Sequence, residues 1–126
     1  MPGVSRDTAT FENHGPVEDR HADIADTTVN FVTFKVDMDG RPLLKGLPDD
    51  RCSCPHWGYV FTGRVTFEFA DHDETFEAGK AFYVPPGHAP IIAAGTEYLQ
   101  FSPAEELRHV SEVLLANARE QQMIKA

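Results

Sequence analysis

Between residues 27 and 102, large apolar residues recur at every second position, in short runs broken by turn-forming residues. In DTTVNFVTFKVDMDG, Val32, Phe34, Val36 and Met38 alternate with Thr33, Lys35 and Asp37. A period of two is the pattern of a half-buried strand, and Asp39-Gly40 follows it as a turn signal. RPLLKGLPDD, punctuated by Pro42, Gly46 and Pro48, is expected to be a brief strand and loop. WGYVF then leads to a turn at Thr62-Gly63. RVTFEFA sets Val65, Phe67 and Phe69 against Thr66 and Glu68, and DHDE turns the chain into TFEAG. KAFYVPPG, APIIAAG and TEYLQF complete the series. Strands at intervals of about 8–12 residues with turns between them predict an all-β sandwich or barrel.

The two ends have a different character. Ser102-Pro103-Ala104-Glu105 offers a capping serine, a proline at the first helical position and a glutamate three residues after the cap. Leu107, Val110, Leu114 and Ala118 follow at helical spacing, which predicts a helix from 103 to about 119 with its apolar stripe on the barrel. Residues 1–26 are polar and acidic, and are expected to form an arm that is loosely ordered or laid along the barrel or a partner. The predicted organisation is an N-terminal arm over 1–26, a barrel over 27–102 and a C-terminal helical segment over 103–126.

Composition narrows the function classes. A chain of 126 residues with 41% hydrophobic and 25% charged residues can bury one core without disulfides. Its formal charge of −9 gives no attraction for phosphate backbones or anionic membrane surfaces, so neither nucleic acid nor membrane is expected as a partner. No stretch approaches the ~20 apolar residues of a membrane span. The first 26 residues contain no apolar core of a signal peptide, which points to the cytoplasm, where thiols stay reduced.

The chemistry concentrates in RCSCPHWGYVFTG, residues 51–63, where Cys52, Cys54 and His56 stand at every second position. A disulfide between the cysteines would close almost no loop, and i,i+2 side chains on a strand splay poorly for it. Metal ligation and plain burial of thiols both remain open, since free cysteine is among the most buried residue types. His14, His21, His72 and His109 read as solvated histidines. Trp57, Tyr59 and Tyr83 either line a cavity or serve as core or interface aromatics.

Two segments together resemble the cupin family, small jelly-roll barrels with a metal site inside. The family's first motif has the form G-x5-H-x-H-x3–4-E-x6-G. Here Gly46 is followed by LPDDR and then Cys52-Ser53-Cys54, so cysteine fills both histidine positions. Counting back from Gly63 places His56 at the glutamate position, with Pro55 as the whole intervening loop. The second motif, G-x5-P-x-G-x2-H-x3-N, is matched by Gly79, KAFYV, Pro85, Pro86 and Gly87. Its histidine position falls on Pro90 and its asparagine on Ala94, and His88 lies two residues before Pro90, on the same strand face. The resemblance covers roughly residues 28–103. It implies an all-β cupin (jelly-roll) barrel with a C-terminal α-helix, a metal inside and a homodimer paired through edge strands and the N-terminal arm.

Carried onto this sequence, the resemblance implies a ligand set drawn from Cys52, Cys54, His56 and His88. Thiolate and imidazole suit zinc, whereas open oxygen-activating iron sites prefer histidine and carboxylate. Zinc is therefore the expected metal, with iron, manganese or nickel as the other candidates. On a straight strand, residues 52 to 56 would span ~13 Å, too far for one ion unless the chain bends. Cys54 and His56 accordingly rank first, His88 next and Cys52 last. Two functions follow. One is a small-molecule metalloenzyme with its substrate in the barrel; the thiolates would lower the metal's Lewis acidity and favour hydrolysis, isomerisation or lyase chemistry over oxygen activation. The other is a non-catalytic module that binds or senses a metal or ligand. Four protein ligands would favour the module, and three plus an open position the enzyme.

Overall fold

The computed structural model describes residues 3–121. Ten strands form two antiparallel sheets. In chain order they are β1 (Thr10–Asn13), β2 (Val17–Ile24), β3 (Thr27–Phe34), β4 (Met38–Asp39), β5 (His56–Thr62), β6 (Arg64–Glu68), β7 (Asp73–Glu77), β8 (Ala81–Val84), β9 (Ala89–Ile92) and β10 (Glu97–Pro103). Helix α1 (Ala104–Glu120) closes the chain. One sheet has the order β1-β2-β3-β10-β5-β8 and the other β4-β9-β6-β7. The result is the expected all-β jelly-roll barrel with one C-terminal helix.

Alternation decides which residues meet between the sheets. Val32, Phe34, Val60, Phe82, Val84 and Tyr98 project inward from the six-stranded sheet and pack on Met38, Val65, Phe67 and Ile92 of the other. The alternating run from Val32 to Met38 is not one strand, however. β3 stops at Phe34, Lys35–Asp37 carries the chain across the barrel, and Met38 enters the second sheet through β4. Val36 sits in that crossing and is 48% exposed. The segment expected as a brief strand is instead a pair of 3-10 turns at Arg41–Leu44 and Pro48–Asp50.

The acidic arm contributes β1 and β2, with β2 fully paired to β3 from Val17↔Phe34 to Ile24↔Thr27. Its polar residues fall on both faces, so hydrophobic periodicity is silent there even though the backbone is in a sheet. Helix α1 spans the predicted residues, but Ser102 does not cap it: the first helical N–H, of Ala104, donates to the Asp26 carbonyl at 2.9 Å. Val110 and Ala118 are buried. Val110, with Leu107, Val113 and Leu114, covers a second cluster made by Leu44, Leu47, Cys52, Cys54 and Ala89. The Asn117 amide donates to the Leu43 and Lys45 carbonyls at 2.7 and 2.9 Å, so the helix supplies donors that the adjacent 3-10 turn lacks. Residues 122–126 of the predicted helical segment lie outside the described residues.

Gly63 closes the β5–β6 turn with φ +80°, and a Cβ there would overlap Thr96. Thr96 is buried, and its hydroxyl donates to the Arg64 carbonyl while accepting from the Arg64 N–H, both at 3.0 Å. Gly15 has a similar φ of +89° but faces open space. Gly15→Ala should therefore cost only the conformational penalty, about 1 kcal/mol, and Gly63→Ala at least about 1 kcal/mol more from the overlap. Urea unfolding of both variants checks this; equal losses would contradict the account of Gly63.

Candidate metal centre

Cys52 lies outside the regular strands, yet its main chain is fixed. Its N–H donates to the His88 carbonyl and its carbonyl accepts from the Gly87 N–H, both at 2.8 Å. This isolated antiparallel bridge sets Cys52 directly beside His88. The chain then bends at Cys54 and enters β5 at His56. The bend removes the ~13 Å span that a straight strand would impose. It returns the Cys52 side chain toward His56, with Sγ 3.6 Å from Nε2.

The sulfur of Cys52 and one ring nitrogen each of His56 and His88 all lie within 4.8 Å of one another, and all three residues are buried. Among the described residues this is the one group of three or more such side chains that converges in this way. Cys54 is equally buried but outside it. Its thiol donates to the Pro55 carbonyl at 3.5 Å, and the side chain packs in the cluster beneath Val110. His56 and His88 come together as expected, but the cysteine brought to the imidazoles is Cys52 and not Cys54, because the bend at 54 turns the intervening side chain toward the helix.

Both imidazoles are held by their far nitrogens. His88 Nδ1 donates to the Pro85 carbonyl at 2.7 Å, which fixes the proton on Nδ1 and leaves Nε2 with a free lone pair. His56 Nδ1 is 2.7 Å from Ser102 Oγ, and Ser102 is fully buried on the neighbouring strand β10. Outer hydrogen bonds of this kind orient metal-binding histidines. The donor chemistry fits as well. Zinc bonds of ~2.3 Å to sulfur and ~2.0–2.1 Å to nitrogen at a tetrahedral angle place the two ligand atoms about 3.6 Å apart, which matches the Cys52–His56 separation of 3.6 Å. In donor chemistry and in the Cys52–His56 spacing, the residues present therefore suit a thiolate-and-imidazole transition-metal site.

Burial sets the protonation states. Desolvation, and then the neighbouring His88, push the His56 pKa down to about 3. Desolvation also lowers His88, against the pull of its bond to Pro85. Both rings are neutral, as ligation requires. Burial drives the Cys52 thiol up to about 11, with a backbone hydrogen bond at Cys54 opposing. Cys54 is pushed up to about 12 by burial, then by Cys52 and Glu106, while the Ser102 hydroxyl opposes. A metal bound here must displace the Cys52 proton.

The other singled-out residues fall elsewhere. His72 is exposed and bonded to Asp71 and Glu74 at 2.7 and 2.8 Å. His109 is exposed, whereas His14 and His21 are half-buried around Glu12 at 3.3 and 2.6 Å. Trp57, Tyr59 and Tyr83 do not line the interior; all three project from the outer face of the six-stranded sheet. Pro90, at the motif's histidine position, lies in β9 opposite Phe67. Sequence reasoning missed Ser102 as the partner of His56. The signal is the alternation along β10, which puts Tyr98 and Ser102 on the inner face, but Ser102 also opens the helix-cap pattern Ser-Pro-Ala-Glu.

No family model and no curated protein sequence matches this chain. Solved structures do. An RmlC-like cupin from Shewanella frigidimarina NCIMB 400 aligns over 80% of this chain and 89% of its own, at 17% identity and a TM-score of 0.53. The polyketide cyclase RemF from Streptomyces resistomycificus aligns over 82% and 80%, at 14% identity and a TM-score of 0.57. KdgF from Halomonas sp. aligns over 75% and 86%, at 17% identity and a TM-score of 0.52. At such identities the likeness concerns the fold. No helix among the described residues is long and apolar enough to cross a membrane.

The depressed histidines make a prediction for the metal-free protein. Between a pKa of ~6.5 in the unfolded chain and the folded value of about 3 for His56, the unfolded state holds a proton that the folded state lacks. That contribution to stability is complete above ~6.5 and is lost as pH falls, by about 1.4 kcal/mol per pH unit for each such histidine. Exposed His72, raised by Asp71 and Glu74, acts in the opposite sense, so the informative quantity is a difference of slopes. Urea unfolding between pH 6.5 and 5 should show a slope shallower by close to one proton in His56→Gln than in the unaltered chain. Equal slopes would contradict the burial of a neutral His56.

Proposed function

We propose that this chain, which has the cupin fold, is a zinc-type metal-binding protein in which Cys52, His56 and His88 hold the ion and a small molecule in the barrel completes its coordination. The observation that carries this reading is the convergence of three buried ligand atoms within 4.8 Å. The far nitrogens of both imidazoles are already engaged, so the near ones are presented. Three protein ligands leave one position of a tetrahedral ion for water or substrate, which is the arrangement of catalytic zinc. A metal there would act as a Lewis acid on a bound oxygen, and one thiolate quenches that acidity less than two. The reading is therefore a small-molecule metalloenzyme working by hydrolysis, isomerisation or elimination. The chain's own share is to orient two imidazoles through Ser102 and Pro85 and to exclude bulk water. A non-catalytic metal-binding or sensing module is the second reading. The near-complete burial of the ligands favours it: His88 is 1% exposed and Cys52 4%.

The protein is also proposed to act as a homodimer. Trp57, Tyr59, Phe61, Tyr83 and Phe101 are each 39–49% exposed on the outer face of strands β5, β8 and β10. The Trp57 and Tyr83 rings already pack at 5.1 Å. A contiguous aromatic face of this kind marks an interaction surface, and a second copy offers the same uncharged patch in a two-fold arrangement.

Two measurements test these readings. Protein purified without affinity tag or chelator should carry about one zinc per chain by elemental analysis. Cys52→Ser and His56→Ala should lose it, while Cys54→Ser and His72→Ala keep it. Metal kept in Cys52→Ser and lost in Cys54→Ser would overturn the proposed ligand set. Light scattering should give twice the chain mass of 14.0 kDa and fall toward the monomer in Trp57→Glu; a monomer mass for the unaltered chain would remove the dimer.

A further inference from the structure

Strands β1–β3 and helix α1 enclose a cleft with two adjoining compartments. The larger, about 400 Å³, is lined by polar side chains of β1–β3 and of His14 on one side, and on the other by the helix, which presents Arg108 and Ser111 among Ala104, Leu107, Leu114 and Leu115. The smaller, about 210 Å³, is lined by apolar residues that include Val17, Phe34, Met38, Ile92 and Tyr98. His14, Leu114 and Leu115 line both, so the two are continuous at that seam. The volumes suit a small organic molecule.

Strand register builds the polar compartment. Asp19, His21 and Asp23 of β2 stand opposite Val32, Asn30 and Thr28 of β3. Thr28 Oγ donates to Asp23 at 2.7 Å. The Asn30 amide nitrogen lies 3.0 and 3.2 Å from the two oxygens of Asp19. That bond orients the amide, because turning it over would set its carbonyl against the carboxylate. Asn30 Oδ1 is then left buried with no protein donor, on a residue only 8% exposed. A buried acceptor in this state calls for an N–H or O–H from a ligand or water.

The charge balance selects among donors. Glu12, Asp19 and Asp23 line the compartment against one fixed cation, Arg108, which is exposed. His14 and His21 are both turned to Glu12. These groups do not converge on a point as metal ligands would, since the described residues hold one such group and it is elsewhere. Their arrangement suits a spread set of N–H donors with positive charge. The continuous apolar compartment suits a hydrocarbon tail beside that head.

We propose that this cleft binds a small amphiphilic amine, with its ammonium between Asp19 and the Asn30 carbonyl oxygen and its apolar tail among Val17, Phe34 and Tyr98. Burial of Asp19, which raises its carboxyl against the opposing bond from Asn30, agrees with a site that favours a counter-charge. None of Cys52, His56 and His88 lines the cleft, and its occupation needs no metal.

Isothermal titration calorimetry of the metal-free protein at pH 7 tests this with n-hexylamine, n-hexanol and hexanoate. Hexylamine should bind at least ten-fold more tightly than hexanol, and hexanoate more weakly still. Asp19→Asn should weaken hexylamine at least ten-fold and leave hexanol unchanged, whereas Cys52→Ser should bind hexylamine as the unaltered chain does. Hexanol or hexanoate binding as tightly as the amine, no binding of any of the three at millimolar concentration, an unaffected Asp19→Asn, or loss in Cys52→Ser would each overturn the proposal. The ligand series on the unaltered chain decides the matter if Asp19→Asn fails to fold.

Discussion

Two main-chain hydrogen bonds between Cys52 and the Gly87-His88 segment hold this molecule's chemistry together. They tie a loop that belongs to neither sheet to the turn after β8, and so place a thiol beside an imidazole without any strand to carry it. The bend at Cys54 then brings His56 to the same point at the start of β5. Each of the three side chains is set by a different part of the chain. Only the barrel, which brings β5, β10 and the 85–88 turn to one end, assembles them.

The same end of the barrel explains why the cluster is so thoroughly desolvated. Helix α1 covers the cysteines through Val110 and is anchored by Asn117 to the turn that precedes them. Burial keeps both imidazoles neutral and both thiols protonated in the absence of a counter-charge. A divalent cation is the species best matched to that environment, because it replaces the lost solvation of the thiolate with direct bonding. The inner face of the six-stranded sheet is also chemically graded. It is apolar around Val32 and Tyr98 and becomes polar through Asn30 and Thr28 toward the helix, and Ser102 links that polar row to His56.

Much of this was legible in the sequence. Period-two alternation marked β3 and β6, apolar runs at regular spacing between turn residues marked β5 and β10, and the glycines at 63 and 79 sit in the left-handed region as their turns require. The helix was marked by its spacing. The site was legible in composition but not in order: all of Cys52, Cys54, His56 and His88 are buried at one end of the barrel, yet which sulfur faces the rings depends on a bend that strand periodicity does not encode. Strands β1 and β2 were hidden because their alternate positions carry charges on both faces, and Asp19 of β2 meets β3 through the Asn30 amide nitrogen and not through apolar packing. Ser102 was hidden because one residue satisfied two local patterns, and the tertiary one prevailed.

X-ray absorption at the zinc edge of the zinc-loaded protein tests the central claim most directly, because it counts sulfur neighbours. The account predicts one sulfur at ~2.3 Å with two imidazole nitrogens and one further light atom at ~2.0–2.1 Å. Two sulfurs in the first shell would bring Cys54 into the site and contradict the geometry described here, and a shell of nitrogen and oxygen alone would place the metal elsewhere.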